Sequence, residues 1–260
     1  MTPRLATDRY RPSRAARGAT RTALPRPGCD VLAIGPHPDD VELVIGGTCA
    51  ALAKAGRRVV AVELTRGESG TLGDARTRER EACRAARILG LAARENLGLP
   101  DAALEFTLPY RRAVAAVVRK WRPEVILAPL YEDAHPDHVV AGRLAEAAFF
   151  EARLKKIAGG EEPWFTRLLF FYPCRTYRHP TLVVDVTDVY AVKLRAMNAH
   201  RSQAPSRSFR AAGYNDVFAS VQVRDRFFGG LIGRPYGEGL VATGPLPVTA
   251  TDQLFFKGCP

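Results

Sequence analysis

The stretch Asp30-Val-Leu-Ala-Ile-Gly-Pro-His-Pro-Asp-Asp40 decides how this chain is read. Asp30–Ile34 is a short apolar run with the length and character of a buried strand. The loop after it carries His37, Asp39 and Asp40 within four residues. Packing does not explain three ionisable side chains at the exit of a buried strand. Pro36 and Pro38 stiffen the loop, because each fixes its own φ and pushes the preceding residue out of the helical region. A rigid loop with an imidazole and two carboxylates suits a metal ion: it supplies a nitrogen ligand, an oxygen ligand and a spare carboxylate. The matching half lies far along the chain at His135-Pro-Asp-His138, directly after the apolar run Val125–Leu130. The two loops read as two walls of one hydrolytic metal site.

Working outward, strand and helix alternate. Expected helices cover Leu43–Ala55, Asp74 to Leu89 with Gly90 as its stop, Leu108–Trp121, Val139–Ile157, and Thr187 to about His200. Expected strands cover Arg57–Leu64, Arg94–Leu97, Glu124–Leu130, Leu168–Tyr172 and Leu182–Val186. Such alternation implies an α/β fold, a Rossmann-like, mostly parallel sheet with helices on both faces. Right-handed crossovers then make the first and fourth strands neighbours at the topological switch point, where open α/β sheets hold ligands. The His37 loop leaves the first of these strands and the His135 loop the fourth. Residues 201–260, rich in glycine, read as irregular, a lid or an oligomer contact.

The chain of 260 residues carries a formal charge of +11. Residues 1–29 hold seven Arg against Asp8, a balance of +6, so residues 30–260 carry only +5. That N-terminal segment has no apolar periodicity and reads as a disordered basic tail ahead of one domain at 30–260; a transit-like segment is the alternative. The mildly basic remainder suits steering of an anionic small molecule. No nucleic-acid motif accompanies the charge. No stretch reaches the roughly 18 apolar residues of a membrane helix. Five scattered cysteines without a C-x-x-C pair fit a reducing cytoplasm rather than a disulfide framework.

A catalytic zinc takes three protein ligands and keeps one position for water. His37, Asp40 and His138 meet that count, with Fe2+ as the other metal such a set accepts. Asp39 is then free to act as general base on a water acidified by the ion. His135, three residues before His138, faces the substrate; paired with Asp137, it is expected to stay cationic and stabilise an oxyanion. A lone His-Pro-Asp is usually a turn, and it is the second copy that turns the reading toward catalysis. His179 and His200 stand alone and read as structural or surface residues.

At this point the sequence resembles a known family. Ala33–Leu43, Gly46-Gly-Thr48, Thr65–Thr71 and Ala134–His138 are similar to the LmbE-like, N-acetylglucosaminyl-phosphatidylinositol deacetylase superfamily. Asn96–Asp101, Tyr131–Asp133, His200–Gln203 and Phe228–Glu238 look most like its bacillithiol-biosynthesis branch, which removes acetate from N-acetylglucosaminyl-malate. The resemblance implies zinc on His37, Asp40 and His138, Asp39 as base and His135 at the oxyanion. It adds Arg78 and a lid tyrosine, Tyr214, as substrate contacts. It also implies a small sugar conjugate as substrate and an oligomeric assembly. One departure is Val44-Ile45, where small residues often sit. Inositol-linked or oligosaccharide conjugates remain alternatives to malate. Two other classes compete: a two-His-one-carboxylate Fe(II) oxygenase, and a dinucleotide-binding module with Glu63 as its ribose acid. The second lacks a Gly-x-Gly-x-x-Gly turn, and Asp39 and Asp40 would repel a pyrophosphate.

Overall fold

A computed structural model describes residues 28–157, 161–204 and 216–246. Along the chain come β1 (Val31–Gly35), α1 (Asp40–Lys54), β2 (Val59–Thr65), α2 (Ala75–Leu89), β3 (Ala93–Leu99), α3 (Leu108–Trp121) and β4 (Val125–Pro129). Then follow α4 (Pro136–Glu151), β5 (Leu168–Tyr172), β6 (Leu182–Asp185), α5 (Tyr190–Met197), α6 (Val217–Leu231) and β7 (Gly237–Ala242). The strands form a seven-stranded sheet in the order β3-β2-β1-β4-β5-β7-β6.

The alternation of side chains along β1 explains why both faces are covered. Val31 and Ala33 enter a core shared with α1, α2 and α5, whereas Leu32 and Ile34 enter a second core with α3 and α4. β1 pairs in parallel with β2 on one side and with β4 on the other, with Val31 opposite Val125. The predicted switch point is therefore present, between the C-terminal ends of β1 and β4. Predicted caps are also present: Asp74 accepts the Thr77 N–H at 2.6 Å, and Gly90 closes α2 at φ 75°.

Three differences from the sequence reading matter for function. Both helices beside the His/Asp loops begin earlier than expected, α1 at Asp40 and α4 at Pro136. Asp40, Asp137 and His138 thus sit on first helical turns instead of in the rigid loops expected. Second, the stretch read as irregular contains α6 and β7. β7 runs antiparallel between β5 and β6, so the sheet is mixed at that edge. Third, the fold takes in Gly28 and Cys29, assigned above to the tail: Cys29 is buried and its N–H donates to Trp121 O at 2.7 Å. Tyr214 lies outside the described residues. No helix among the described residues is long and apolar enough to cross a membrane. Cys29, Cys49, Cys83 and Cys174 are free thiols.

Candidate active site and metal centre

The loop after β1 is pinned from below. The N–H and hydroxyl of Thr65, at the end of β2, both donate to Pro36 O at 3.0 Å. From the next strands, Tyr172 on β5 donates its hydroxyl to Ile34 O at 2.6 Å. The prolines stiffen the loop and these bonds fix where it points.

Three side chains converge there. His37 Nδ1 lies 3.0 Å from Asp40 Oδ2, and His138 Nε2 lies 3.4 Å from Asp40 Oδ1. The ring centroids of His37 and His138 are 5.6 Å apart. Their ligating atoms and that of Asp40 all fall within 4.8 Å of one another, close enough to share one ion.

The far nitrogens identify which ring face is meant for the ion. His37 Nε2 is 3.2 Å from both Asp101 Oδ1 and Asp137 Oδ2. His138 Nδ1 is 3.0 Å from Asp133 Oδ1. An imidazole that ligates a metal usually gives its other N–H to a carboxylate, which fixes tautomer and orientation. Both rings have a carboxylate on the far side, hydrogen-bonded at His37 and in a bent contact at His138, with Asp40 on the near side. Charge agrees. Burial opposes protonation of His37, yet Asp101, Asp137 and Asp40 lift its pKa up to about 11. Burial likewise opposes a charge on His138, and Asp40 and Asp133 push its pKa well up. Asp40 is held down by the two rings against the upward push of its burial. A field strong enough to keep two buried imidazoles protonated suits a dication in place of those protons. The donor set therefore fits a divalent metal held by His37, Asp40 and His138.

Asp39 points elsewhere. Its Oδ1 accepts from Arg78 Nη2 at 3.0 Å, and Arg78 Nη1 donates to Gly67 O at 3.0 Å. The guanidinium, buried on α2, fixes the rotamer of the carboxylate beside the ligands. His135 stacks on His138 with centroids 4.7 Å apart and meets His37 edge-on at 4.9 Å.

The expected pairing of His135 with Asp137 is corrected here. The Asp137 carboxylate turns to His37 and accepts the N–H groups of Ala102 and Leu104, at 2.9 and 3.4 Å. Only the backbone N–H of Asp137 reaches His135, donating to Nδ1 at 3.2 Å. With Nδ1 as acceptor, the ring proton sits on Nε2. Burial and the neighbouring rings of His138 and His37 lower the pKa of His135. Both observations favour the neutral ring over the cation expected from the sequence. Sequence spacing missed the reason, because residues two apart on a helical turn face different ways.

Comparison with known proteins bears on the same residues. Residues 32–149 match the family described as PIG-L, GlcNAc-PI de-N-acetylase. A diacetylchitobiose deacetylase of Thermococcus kodakarensis is 34% identical over 226 residues, covering 81% of either chain. The chain belongs to the GlcNAc-PI de-N-acetylase family. A second relative is a probable N-acetyl-α-D-glucosaminyl L-malate deacetylase of Bacillus anthracis, 31% identical over 66% of this chain and 80% of the relative. Among solved structures, a conserved protein of Thermus thermophilus superposes with a TM-score of 0.78 at 37% identity, covering 85% of this chain and 97% of that one.

Two residues of this family member escaped the sequence reading although they lie inside stretches quoted above. Asp101 accepts the Ser69 N–H at 2.8 Å while facing His37, so it ties the loop after β2 to the metal loop. Burial opposes its charge, but His37 and Ser69 hold its pKa down to about 2. Asp133 backs His138. The usable signal was an acid just past each neighbouring strand exit. Beside Pro38, between α2 and β3, opens a cavity of about 470 Å³ lined by Arg66, Arg76, Glu79, Glu95 and Asn96.

Proposed function

We propose that this chain hydrolyses the N-acetyl group of an N-acetylglucosaminide in a reaction that depends on a divalent metal, with zinc the metal the donor set suits best. The observation that carries the reading is the pair of carboxylate-backed imidazoles, His37 and His138, turned toward Asp40 with Asp39 left unligated beside them. Held by His37, Asp40 and His138, the ion would polarise the acetamide carbonyl and acidify a water.

The chain supplies the rest. Asp39, its rotamer set by Arg78, takes a proton from the attacking water as the oxygen bonds to the carbonyl carbon. His135 Nε2–H donates to the oxygen on which negative charge develops. When the C–N bond breaks, Asp39 returns its proton to the leaving amine, so acetate and a free amino sugar depart. Arg78 acts on the base in this scheme, and through it on the substrate. Tyr214 keeps its proposed place as a substrate contact.

For the aglycone we infer malate from the stretches similar to the bacillithiol branch. Diacetylchitobiose is the second reading, favoured by the relative with 34% identity. The reading places one catalytic domain from Gly28 onward, with the basic segment 1–27 ahead of it, in the cytoplasm as a homo-oligomer. The test is anaerobic incubation of Zn2+-loaded protein with N-acetylglucosaminyl-malate, its inositol counterpart and diacetylchitobiose. Acetate and free amine should appear in equal amounts, fastest with malate. Acetate from none of the three would sink the deacetylase reading, and anaerobic turnover excludes an oxygenase.

A further inference from the structure

Asp133, which backs His138, engages more of the site than that one ring. Its side chain is 1% exposed. Oδ1 faces His138 Nδ1 at 3.0 Å, in a bent contact, and also accepts the His135 N–H at 2.9 Å. Oδ2 accepts the Arg175 N–H at 2.8 Å, from the segment joining β5 to β6. One carboxylate thus touches a proposed metal ligand, the backbone of the proposed oxyanion donor, and the connection between β5 and β6. The Cys174 thiol shares this corner, since Asp133, His138 and Cys174 each place a donor atom within 4.8 Å of the others.

A simpler duty would be a turn: a carboxylate accepting the N–H two residues on is an Asx-turn, common at helix starts. That accounts for the His135 bond only. It leaves unexplained why the same oxygen faces an imidazole nitrogen that would otherwise be buried opposite a thiol.

We propose that Asp133 is a positioning residue of the metal centre, holding His138 in the tautomer that presents Nε2 beside Asp40 while anchoring His135 at the same point. The proposal rests on the three-ligand reading of the site. With the carboxylate of Asp133 3.0 Å from Nδ1, a proton is favoured on that nitrogen, which leaves Nε2 as a lone-pair donor toward Asp40 and the ion. Without the carboxylate the proton can move to Nε2, and the ring then presents a donor where a ligand is needed. Anchoring through the His135 N–H keeps the Nε2–H of that ring at a fixed distance from the same ligand.

Full-length protein, as wild type, Asp133→Asn, Asp133→Ala and His138→Ala, would be titrated with Zn2+ against a chelator, and kcat read at saturating Zn2+. Removing a carboxylate behind a ligating imidazole costs about 10–100-fold in metal affinity. We expect about 10-fold weakening in Asp133→Asn, nearer 100-fold in Asp133→Ala, and recovery of most of kcat in Asp133→Asn when Zn2+ is saturating. The Co2+-substituted Asn variant should show shifted visible absorption bands. Asn preserves the Asx-turn acceptor, so a turn-only role predicts wild-type affinity and an unshifted spectrum, and that outcome overturns the proposal. If His138→Ala also binds Zn2+ like the wild type, the ligand set itself is wrong. Should Asp133→Ala fail to fold, the Asn affinity and spectrum alone decide.

Discussion

Asp39 and Asp40 are adjacent in the chain and opposite in duty, and the backbone separates them. Asp40 begins α1, so its carboxylate turns in toward His37 N–H and both rings. Asp39 stands just outside the helix in extended φ, and its carboxylate leaves toward Arg78. His135 shows the same economy: its ring is held between two imidazoles and its Nδ1 is occupied by a backbone N–H. Its one free function is the Nε2–H. His135→Ala should therefore lower kcat by about 10²–10³, the loss of one oxyanion donor, while bound Zn2+ per protomer stays unchanged by elemental analysis. Unchanged kcat would remove His135 from the reaction. At this scale the sequence was legible where a motif states the residue type, as in both His-Pro-Asp copies. It was silent about direction, so Asp137 was placed on His135 rather than on His37.

At the scale of elements, α1 illustrates what a sequence pattern hides. The helix is kinked at Ile45, and Gly46-Gly47-Thr48 beyond the kink forms a seat for Glu238 of β7. Glu238 accepts the N–H groups of Gly47 and Thr48 at 2.8 and 2.6 Å, and lies 2.7 Å from the buried Lys193 ammonium, which also meets Asp225 at 2.6 Å. A Cβ at Gly47 would come within 2.7 Å of the Val186 side chain and 2.9 Å of Glu238 Oε1. Alanine gains up to about 1 kcal/mol of helix propensity, but overpacking a tight core costs about 1–3 kcal/mol. Gly47→Ala should thus be destabilising by about 1–2 kcal/mol in urea unfolding. α6 and β7 were missed for the same reason. Their glycines serve close approaches between Gly229, Tyr236 and Gly237, and close approach leaves no periodic signature. A second network joins β2, β3 and α1: Arg94 binds Glu42 and, through Nε, Glu63 at 2.7 Å. Burial and the charge of Glu42 push Glu63 up to about 7 from 4.5, against the pull of Arg94. A folded-state pKa above the unfolded one means the native state holds the extra proton between those values. The contribution of Glu63 to stability is then full below pH 4.5 and is lost as pH rises to 7, by an amount on the order of 3 kcal/mol. Glu63→Gln cannot lose it, so the stability of the variant relative to wild type should rise between pH 5 and pH 8. A flat difference across that window would show that Glu63 is ionised throughout.

Over the whole molecule, the strand order around β1 was legible because right-handed crossovers leave few choices once the helices are placed, and the pairing of β1 with β4 follows from it. The antiparallel edge was not, since it depends on a strand arriving from beyond the last helix. The same topology would make a metal at this site a stabiliser of the entire fold. Its ligands would come from the loop after β1 and from the first turns of α1 and α4, and those two helices cover opposite faces of the sheet, so an ion held by His37, Asp40 and His138 would stitch both layers together at the switch point. Anything that binds only the folded state stabilises by RT ln(1 + [L]/Kd), about 4 kcal/mol at a thousandfold excess over Kd. For a chain of this size about 1 kcal/mol moves Tm by about 2–4 °C. Chelation should therefore lower Tm by about 10 °C, and restoring Zn2+ should reverse the loss. His138→Ala should melt at one temperature with or without the ion. The effect should also shrink on acidification. The carboxylates that raise His37 up to about 11 and push His138 well up let protons compete with the metal. Calorimetric titration in buffers of different ionisation enthalpy should register proton release on Zn2+ binding at pH 7. Binding without proton release would mean the ion sits away from both imidazoles, and the site would have to be sought elsewhere in the fold.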